Sequence, residues 1–219
     1  NWNFQGGTPS TSTSKNPTVT YNTSGTFSVS LTASNVNGSS TFSKPGVVVI
    51  STDEVNNNYP YTQNFDNLIT GDEVNLGGWI NGTDDERNWR VHSGSAPGAV
   101  GPSGDHTSGN GKYLLFQPTG TGYWGNLYSP CLNLSGLSNP VFEYYVYVDD
   151  LKNMDPLYLD VQVDGKLQTD VFPAVEKIGN FWLKKTVDLT PYANKTIQLR
   201  FRAKSGHTDR AYAIDDIKI

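Results

Sequence analysis

Gly101-Pro-Ser-Gly-Asp-His-Thr-Ser-Gly-Asn-Gly-Lys-Tyr-Leu-Leu115 runs from a glycine-rich polar loop straight into an apolar strand start. The chain closes on Ala213-Ile-Asp-Asp-Ile-Lys-Ile219, where two adjacent acids interrupt an apolar terminal strand. A central strand does not bury neighbouring carboxylates without a cation or strong donors. Together the two segments point to an extracellular all-β module with a structural metal rather than to an enzyme.

The rest of the chain reads the same way. Thr26–Ser34 alternates strictly, with Phe27, Val29, Leu31 and Ala33 on one face. Pro17–Tyr21 alternates before it, Asn35-Val-Asn-Gly38 signals a turn after it, and Gly46–Ser51 is a further apolar strand. Asp53–Pro60 is polar and Asn-rich, and is expected to be a linker. Beyond it, strands are expected at Lys112–Gln117, Asn126–Ser129, Val141–Val148, Leu157–Val163, Trp182–Asp188, Thr196–Ala203 and Tyr212–Ile219. Asp164-Gly165 marks a hairpin. No segment has a helical period, so a two-sheet sandwich or jelly roll is expected from about residue 61 to 219.

Composition agrees. The 219 residues include 12 Tyr, 9 Phe, 5 Trp, 22 Gly and 12 Pro, a mix that favours short strands joined by turns. A net charge of −5 without a basic stripe argues against nucleic acid. Cys131 is the single cysteine, so no intramolecular disulfide is possible. No apolar run reaches the ~18 residues of a membrane span. The chain opens on Asn1-Trp2 and is expected to be a fragment of a longer, processed protein.

Trp2-Asn-Phe-Gln-Gly-Gly-Thr-Pro9, Asn16–Tyr21 and Gly25–Asn35 resemble the C-terminal half of a PKD-type immunoglobulin-like domain. That resemblance implies a partial sandwich over residues 1–52, with its first strands upstream. The second region resembles a MAM-type, concanavalin A-like jelly roll. The matching residues are Phe65-Asp66, Gly78-Trp79, Asp84–Trp89, Gly101–Thr107, Ser129-Pro130, Asn133–Ser135, Asp188–Tyr192 and Ile214–Ile217. The cysteine pairs of animal MAM domains are absent. The pair is similar to non-catalytic regions of secreted Bacteroidetes proteins, both surface adhesins and cytophagalysin-type metalloproteases.

The resemblance implies a Ca²⁺ site where the first and last strands meet, using Asp66 and one or both of Asp215 and Asp216. Alternation sends those last two acids to opposite faces unless a bulge intervenes. Asp84 and Asp85, with Glu86, are candidates for completing that site or forming a second, and Asp105 is a further candidate ligand. The competing reading pairs Asp66, Asp215 and Asp216 with Arg200, Arg202 or Arg210, and leaves Asp84, Asp85 and Glu86 in a solvated loop. Asp105-His106 is expected to be structural, the carboxylate accepting backbone N–H bonds and the imidazole packing on an aromatic ring. No His-Glu-x-x-His, paired strand carboxylates or nucleotide-type glycine loop is present. Trp79 and Trp89 are expected in the core, whereas Tyr123 and Trp124, beside Gly120, Gly122 and Gly125, are candidates for ligand contact. The expected role is a non-catalytic, secreted or surface-bound binding and adhesion pair, facing a protein or glycan partner and joined to upstream domains. The alternatives are an accessory region of a secreted zinc metalloprotease and a carbohydrate-binding module.

Overall fold

The computed structural model describes residues 1–21, 25–50, 55–83, 85–99, 101–149, 155–176, 178–205 and 211–219. The chain divides into two compact units, Asn1–Thr52 and Asp53–Ile219.

The first unit holds β1 (Trp2–Phe4), β2 (Thr11–Ser12), β3 (Gly25–Asn35) and β4 (Gly38–Ile50). They form one antiparallel sheet in the order β2-β1-β3-β4. The expected strand Gly46–Ser51 is only the end of β4, which pairs with β3 from Asn35↔Gly38 to Gly25↔Ile50. Its polar first half carries no hydrophobic signal; the hairpin closed at Val36-Asn37 recruits it through backbone pairing. Asn37 N–H donates to the Asn35 side chain at 2.8 Å and stabilises that turn. The register slips between Phe27↔Val48 and Val29↔Lys44, across Pro45, which has no N–H for a ladder. Pro17–Tyr21 is not a strand: only Thr20 pairs, with Thr8. Phe4 is the one core hydrophobic among the unit's described residues, and Phe27, Val29 and Leu31 are half-buried.

The second unit starts with β5 (Thr62–Gln63), β6 (Ile80–Asn81), β7 (Arg90–Ser93), β8 (Lys112–Phe116) and β9 (Trp124–Tyr128). It continues with β10 (Leu132–Asn133), β11 (Val141–Val148), β12 (Tyr158–Val163) and β13 (Lys166–Gln168). The last three strands are β14 (Leu183–Asp188), β15 (Thr196–Lys204) and β16 (Tyr212–Lys218). One sheet runs β13-β12-β15-β9-β6, with β10 on β15; the other runs β14-β11-β16-β8-β7, with β5 on β16. Every pairing between these strands is antiparallel, and the first strand lies beside the last, as expected for the jelly roll. Helix is confined to two three-residue turns among the described residues.

Period-2 alternation builds the core. Phe142, Tyr144, Val146 and Val148 of β11 face Ile197, Leu199, Phe201 and Ala203 of β15 across the sandwich. Tyr144 meets Phe201 edge-on at 5.0 Å, and the buried Trp89 indole donates to Gly125 O at 3.2 Å. Trp79 is likewise buried, stacked on Phe201. Residues 55–60, read as linker, are in part tied to this unit. Asn56 N–H donates to Cys131 O and Asn133 N–H to Asn56 O, while Tyr61 and Ile219 exchange backbone bonds.

A second, smaller cluster lies on the outer face of the β16-containing sheet, where Tyr113, Tyr147, Ala211 and Ala213 pack with Ala96 and Trp182. The Trp182 indole donates to Gly104 O, and the Tyr113 hydroxyl to Gly94 O. The loop leading to β8 therefore lies across this sheet. A Cβ on Gly104 would stand 2.2 Å from Gly109 O, and one on Gly111 2.3 Å from Asp66 Oδ1. Backbone at Gly104 and carboxylates at Gly111, rather than a need for positive φ, exclude side chains there.

Phe201, wholly buried at the centre, should cost about 3–5 kcal/mol when cut to alanine. Ile69→Ala, at a largely exposed side chain of the same unit, should change stability by under ~0.5 kcal/mol. Urea unfolding of the two variants measures both; equal effects would mean that the core is misplaced.

Candidate functional site

The terminal strand changes partner halfway. Tyr212, Ala213 and Ile214 pair with β8, while Ile217 and Lys218 pair with β5. At the changeover β16 bulges: Tyr145 opposes Asp215, but Glu143 opposes Lys218. Asp216, in the bulge, takes a φ of 45°. An extra residue undoes strict alternation, so both acids reach the loop before β8. Asp215 Oδ2 accepts the His106 backbone N–H at 2.9 Å, and Asp216 Oδ2 accepts from the His106 ring, Nδ1 at 2.7 Å. The Thr107 hydroxyl also donates to Asp216.

The other two acids of the cluster enter from either side of the same loop. Asp105 accepts the backbone N–H groups of Ser108 at 3.0 Å and Gly111 at 2.7 Å. Asp66, just after β5, accepts the Lys112 N–H at 2.7 Å, and the Lys112 ammonium bonds the Asp66 carbonyl. Asp66 Oδ1 and Asp105 Oδ2 both face the space that a Gly111 side chain would fill. The structure thus brings together Asp66, Asp105, Asp215 and Asp216. His106 stacks on Tyr145 as expected, and its proton partner is Asp216 rather than the adjacent Asp105.

Asp215 is the electrostatically unusual member. Burial pushes its carboxyl up to about 8 against the donated His106 N–H, and Asp216 and Asp105 add to the rise. Asp105 behaves oppositely: burial opposes its charge, but the Ser108 and Gly111 donors outweigh it and hold the carboxyl below the usual range. Among the described residues, no three His, Cys, Asp or Glu side chains close into a ready coordination cluster.

Asp85 and Glu86 do not join these acids. Asp85 accepts the Asn126 N–H and Glu86 the Trp124 N–H, so both tie their loop to β9 in the other sheet. Asp84 and Arg210 lie outside the described residues. Arg200 and Arg202 do not reach Asp66, Asp215 or Asp216 either. They converge on Asp160 of β12, Arg200 Nη2 at 2.6 Å and Arg202 Nε at 3.1 Å, and Arg202 also bonds Asp170 at 2.8 Å. Burial disfavours the Asp160 charge, but the Arg202 and Arg200 hydrogen bonds prevail and keep its carboxyl low.

This ion network belongs to the outer face of the β15-containing sheet. Cross-strand register sets Tyr158, Arg202 and Asn126 on one rung, Asp160, Arg200 and Tyr128 on the next, and Lys204 beside Trp124. The Arg202 guanidinium lies 4.3 Å from the Tyr158 ring centre and 5.4 Å from that of Trp124. Trp124 and Tyr123 are half-buried, and Arg87 covers the Tyr123 ring at 4.2 Å. Of this surface, sequence reasoning proposed Tyr123 and Trp124 as ligand contacts and named Arg200 and Arg202 only as candidate partners of Asp66, Asp215 and Asp216. Alternation in Ile197-Gln-Leu-Arg-Phe-Arg202 carried the remaining signal, because it sends Gln198, Arg200 and Arg202 to one face.

Comparison with known proteins follows the same division. Residues 1–48 match the PKD domain model, and residues 70–219 match the model of the MAM domain, meprin/A5/mu. No curated protein matches the chain. Among solved structures, the K2 cleaved adhesin domain of Lys-gingipain is similar at 16% identity and a TM-score of 0.51, over 73% of this chain and 97% of that one. The K1 domain of the same protein, from Porphyromonas gingivalis W83, is 17% identical, with a TM-score of 0.45 over 74% and 97%. A xylan-binding domain from Paenibacillus barcinonensis Xyn10C is 15% identical, with a TM-score of 0.46 over 72% and 90%. At such identities the likeness extends to the fold alone. With a family model matched over more than half its length, the chain belongs to the MAM domain family.

Proposed function

We propose that this chain is a non-catalytic, secreted or surface-displayed binding module, stabilised by calcium, that engages a glycan or protein on a cell surface or matrix. The observation that carries the reading is the face on which half-buried Tyr158, Trp124, Tyr128 and Arg202 surround the buried Asn126, a set of rings and planar polar groups suited to recognition. The titratable cluster, by contrast, has the character of a clamp. Asp105 and Asp215 accept backbone amides, and His106 is held between Asp216 and Tyr145. No helix among the described residues is long and apolar enough to cross a membrane.

Asp66, Asp105, Asp215 and Asp216 are the candidate ligands; no three of them form a ready coordination cluster, so binding would draw them closer. They form an all-oxygen donor set, which suits a hard cation, and Ca²⁺ takes further ligands from backbone carbonyls and water. The fit rests on Asp215, a buried acid whose neighbours disfavour its charge. Bound Ca²⁺ supplies the positive charge that lets these carboxylates ionise side by side. It would thereby fasten the loop before β8 to the first and last strands.

Three outcomes follow. Calcium at a hundredfold excess over its dissociation constant should add about 2.7 kcal/mol, raising the melting temperature by roughly 5–10 °C. Chelation should reverse the gain and Asp66→Ala should abolish it; an identical melting curve with and without calcium refutes the site.

Asp215 also predicts a pH effect in calcium-free protein. Its folded pKa lies above the unfolded value of 3.8, so its contribution is fully present below about pH 4 and is lost as pH rises through about 8. Stability should therefore fall across that window more steeply than in Asp215→Asn, and added calcium should flatten the difference. Parallel slopes for the two proteins would show that Asp215 does not titrate there.

For the binding role, labelled protein should bind saturably to immobilised glycans or matrix proteins. Failure to saturate on both classes would overturn that reading.

A further inference from the structure

Two outer faces flank the sandwich, and they are built differently. That of the β16 sheet is covered in part, over Tyr113, Tyr147 and Ala213, by the loop carrying Ala96 and by Trp182. That of the β15 sheet presents Tyr158, Gln162, Gln198, Arg202, Lys204, Trp124 and Tyr128 as half-buried side chains. A solvated sheet face needs neither large rings nor ion networks. Here Asp160 is fully buried on the solvent side of its strand, fastened by Arg200, Arg202 and the Asp170 N–H. Burying such charges is costly and is weak evidence for stability; what it does provide is a rigid array of planar donors. Arg202 is held further by the Tyr158 and Trp124 rings on neighbouring strands.

A second observation lies at the centre of this face. Asn126 is only 6% exposed, and its side-chain oxygen has no donor among the described residues. Buried acceptors are nearly always satisfied. Asn126 shares its rung with Arg202 and stands between Trp124 and Tyr128 on β9. The vacant hydrogen-bonding capacity is therefore on the recognition face and not in the apolar core.

The geometry points to a neutral oligosaccharide as the ligand of this face. This rests on the binding-module reading above and names its ligand class. Sugar rings offer apolar C–H faces to aromatic rings, and vicinal hydroxyls to arginine, asparagine and glutamine. A hydroxyl, directly or through one water, supplies the donor that Asn126 lacks. Charge selects neutral over acidic glycans. Arg200 and Arg202 are paired with Asp160 and Asp170, and Lys204 lies 4.0 Å from Asp155, so these cations have carboxylates at hand. The chain as a whole carries −5.

Affinity electrophoresis of the 219-residue chain tests the assignment, in gels containing soluble xylan, galactan, galactomannan, mixed-linkage glucan, polygalacturonate or heparin. At least one neutral polysaccharide should retard the protein. Trp124→Ala and Tyr158→Ala should each weaken that retardation roughly tenfold or more, with both variants still unfolding cooperatively well above the assay temperature. Lys184→Ala, on the other sheet, should have no effect. Retardation that survives both aromatic substitutions, occurs only with the two acidic polymers, or is absent from every gel overturns the proposal. Saturable binding to matrix proteins after periodate destruction of their glycans would retain the binding-module reading while removing this ligand.

Discussion

The His106 backbone N–H bonded to the buried Asp215 carboxylate holds the long loop before β8 against the terminal strand. Around this bond the bulge at Asp216, the partner change from β8 to β5, and the approach of Gly111 to Asp66 become one arrangement. Without the bulge, alternation would direct one acid into the apolar core and the other outward. With it, both carboxylates meet donors from a single loop.

The same loop explains how one sandwich acquires two unlike outer faces. Its Ala96 and Gly104 segment lies over Tyr113, Tyr147 and Trp182, which covers that part of the face, while Glu143 and Lys184 stay partly exposed. The other face has rings, guanidinium groups and amides, held in place by their own hydrogen bonds. The two faces of the sandwich thus differ in what orders them: a covering loop on one, polar side chains on the other. The MAM architecture accounts for the sheets; the chemistry of this surface belongs to particular residues on β9, β12 and β15.

The carboxylate cluster shows how residue type and position divide the work. Asp105 precedes His106 in the chain, and Asp215 accepts the His106 N–H. One carboxyl is held low and the other raised. The difference is one of donors: Asp105 collects amides from its own loop, whereas Asp215 is more deeply enclosed and has negative neighbours. Asp160, equally enclosed, stays ionised because two guanidinium groups face it. Burial opposes the charge in all three; donors outweigh it at Asp105 and Asp160, whereas at Asp215 burial prevails over the His106 N–H.

Local pattern determined much of this molecule. Strict alternation over Val141–Val148 and Ile197–Arg202, apolar on one side, was enough to place both central strands and their buried faces, because a half-buried strand must repeat every two residues. Glycine, acid and histidine in Gly101–Thr107 marked the loop, and Asp66, Asp105, Asp215 and Asp216 were all nameable from the chain. Tertiary structure decided the rest. The polar half of β4 became strand through pairing with β3, and Asp85 went to β9 instead of the acid cluster. Arg200 chose Asp160, a partner 40 residues away in sequence and directly across the sheet, and Arg202 joins the same carboxylate from the neighbouring rung. A bulge and a cross-strand register are relations between strands; neither leaves a periodic trace in one strand's residues, so only the folded sheets could set them.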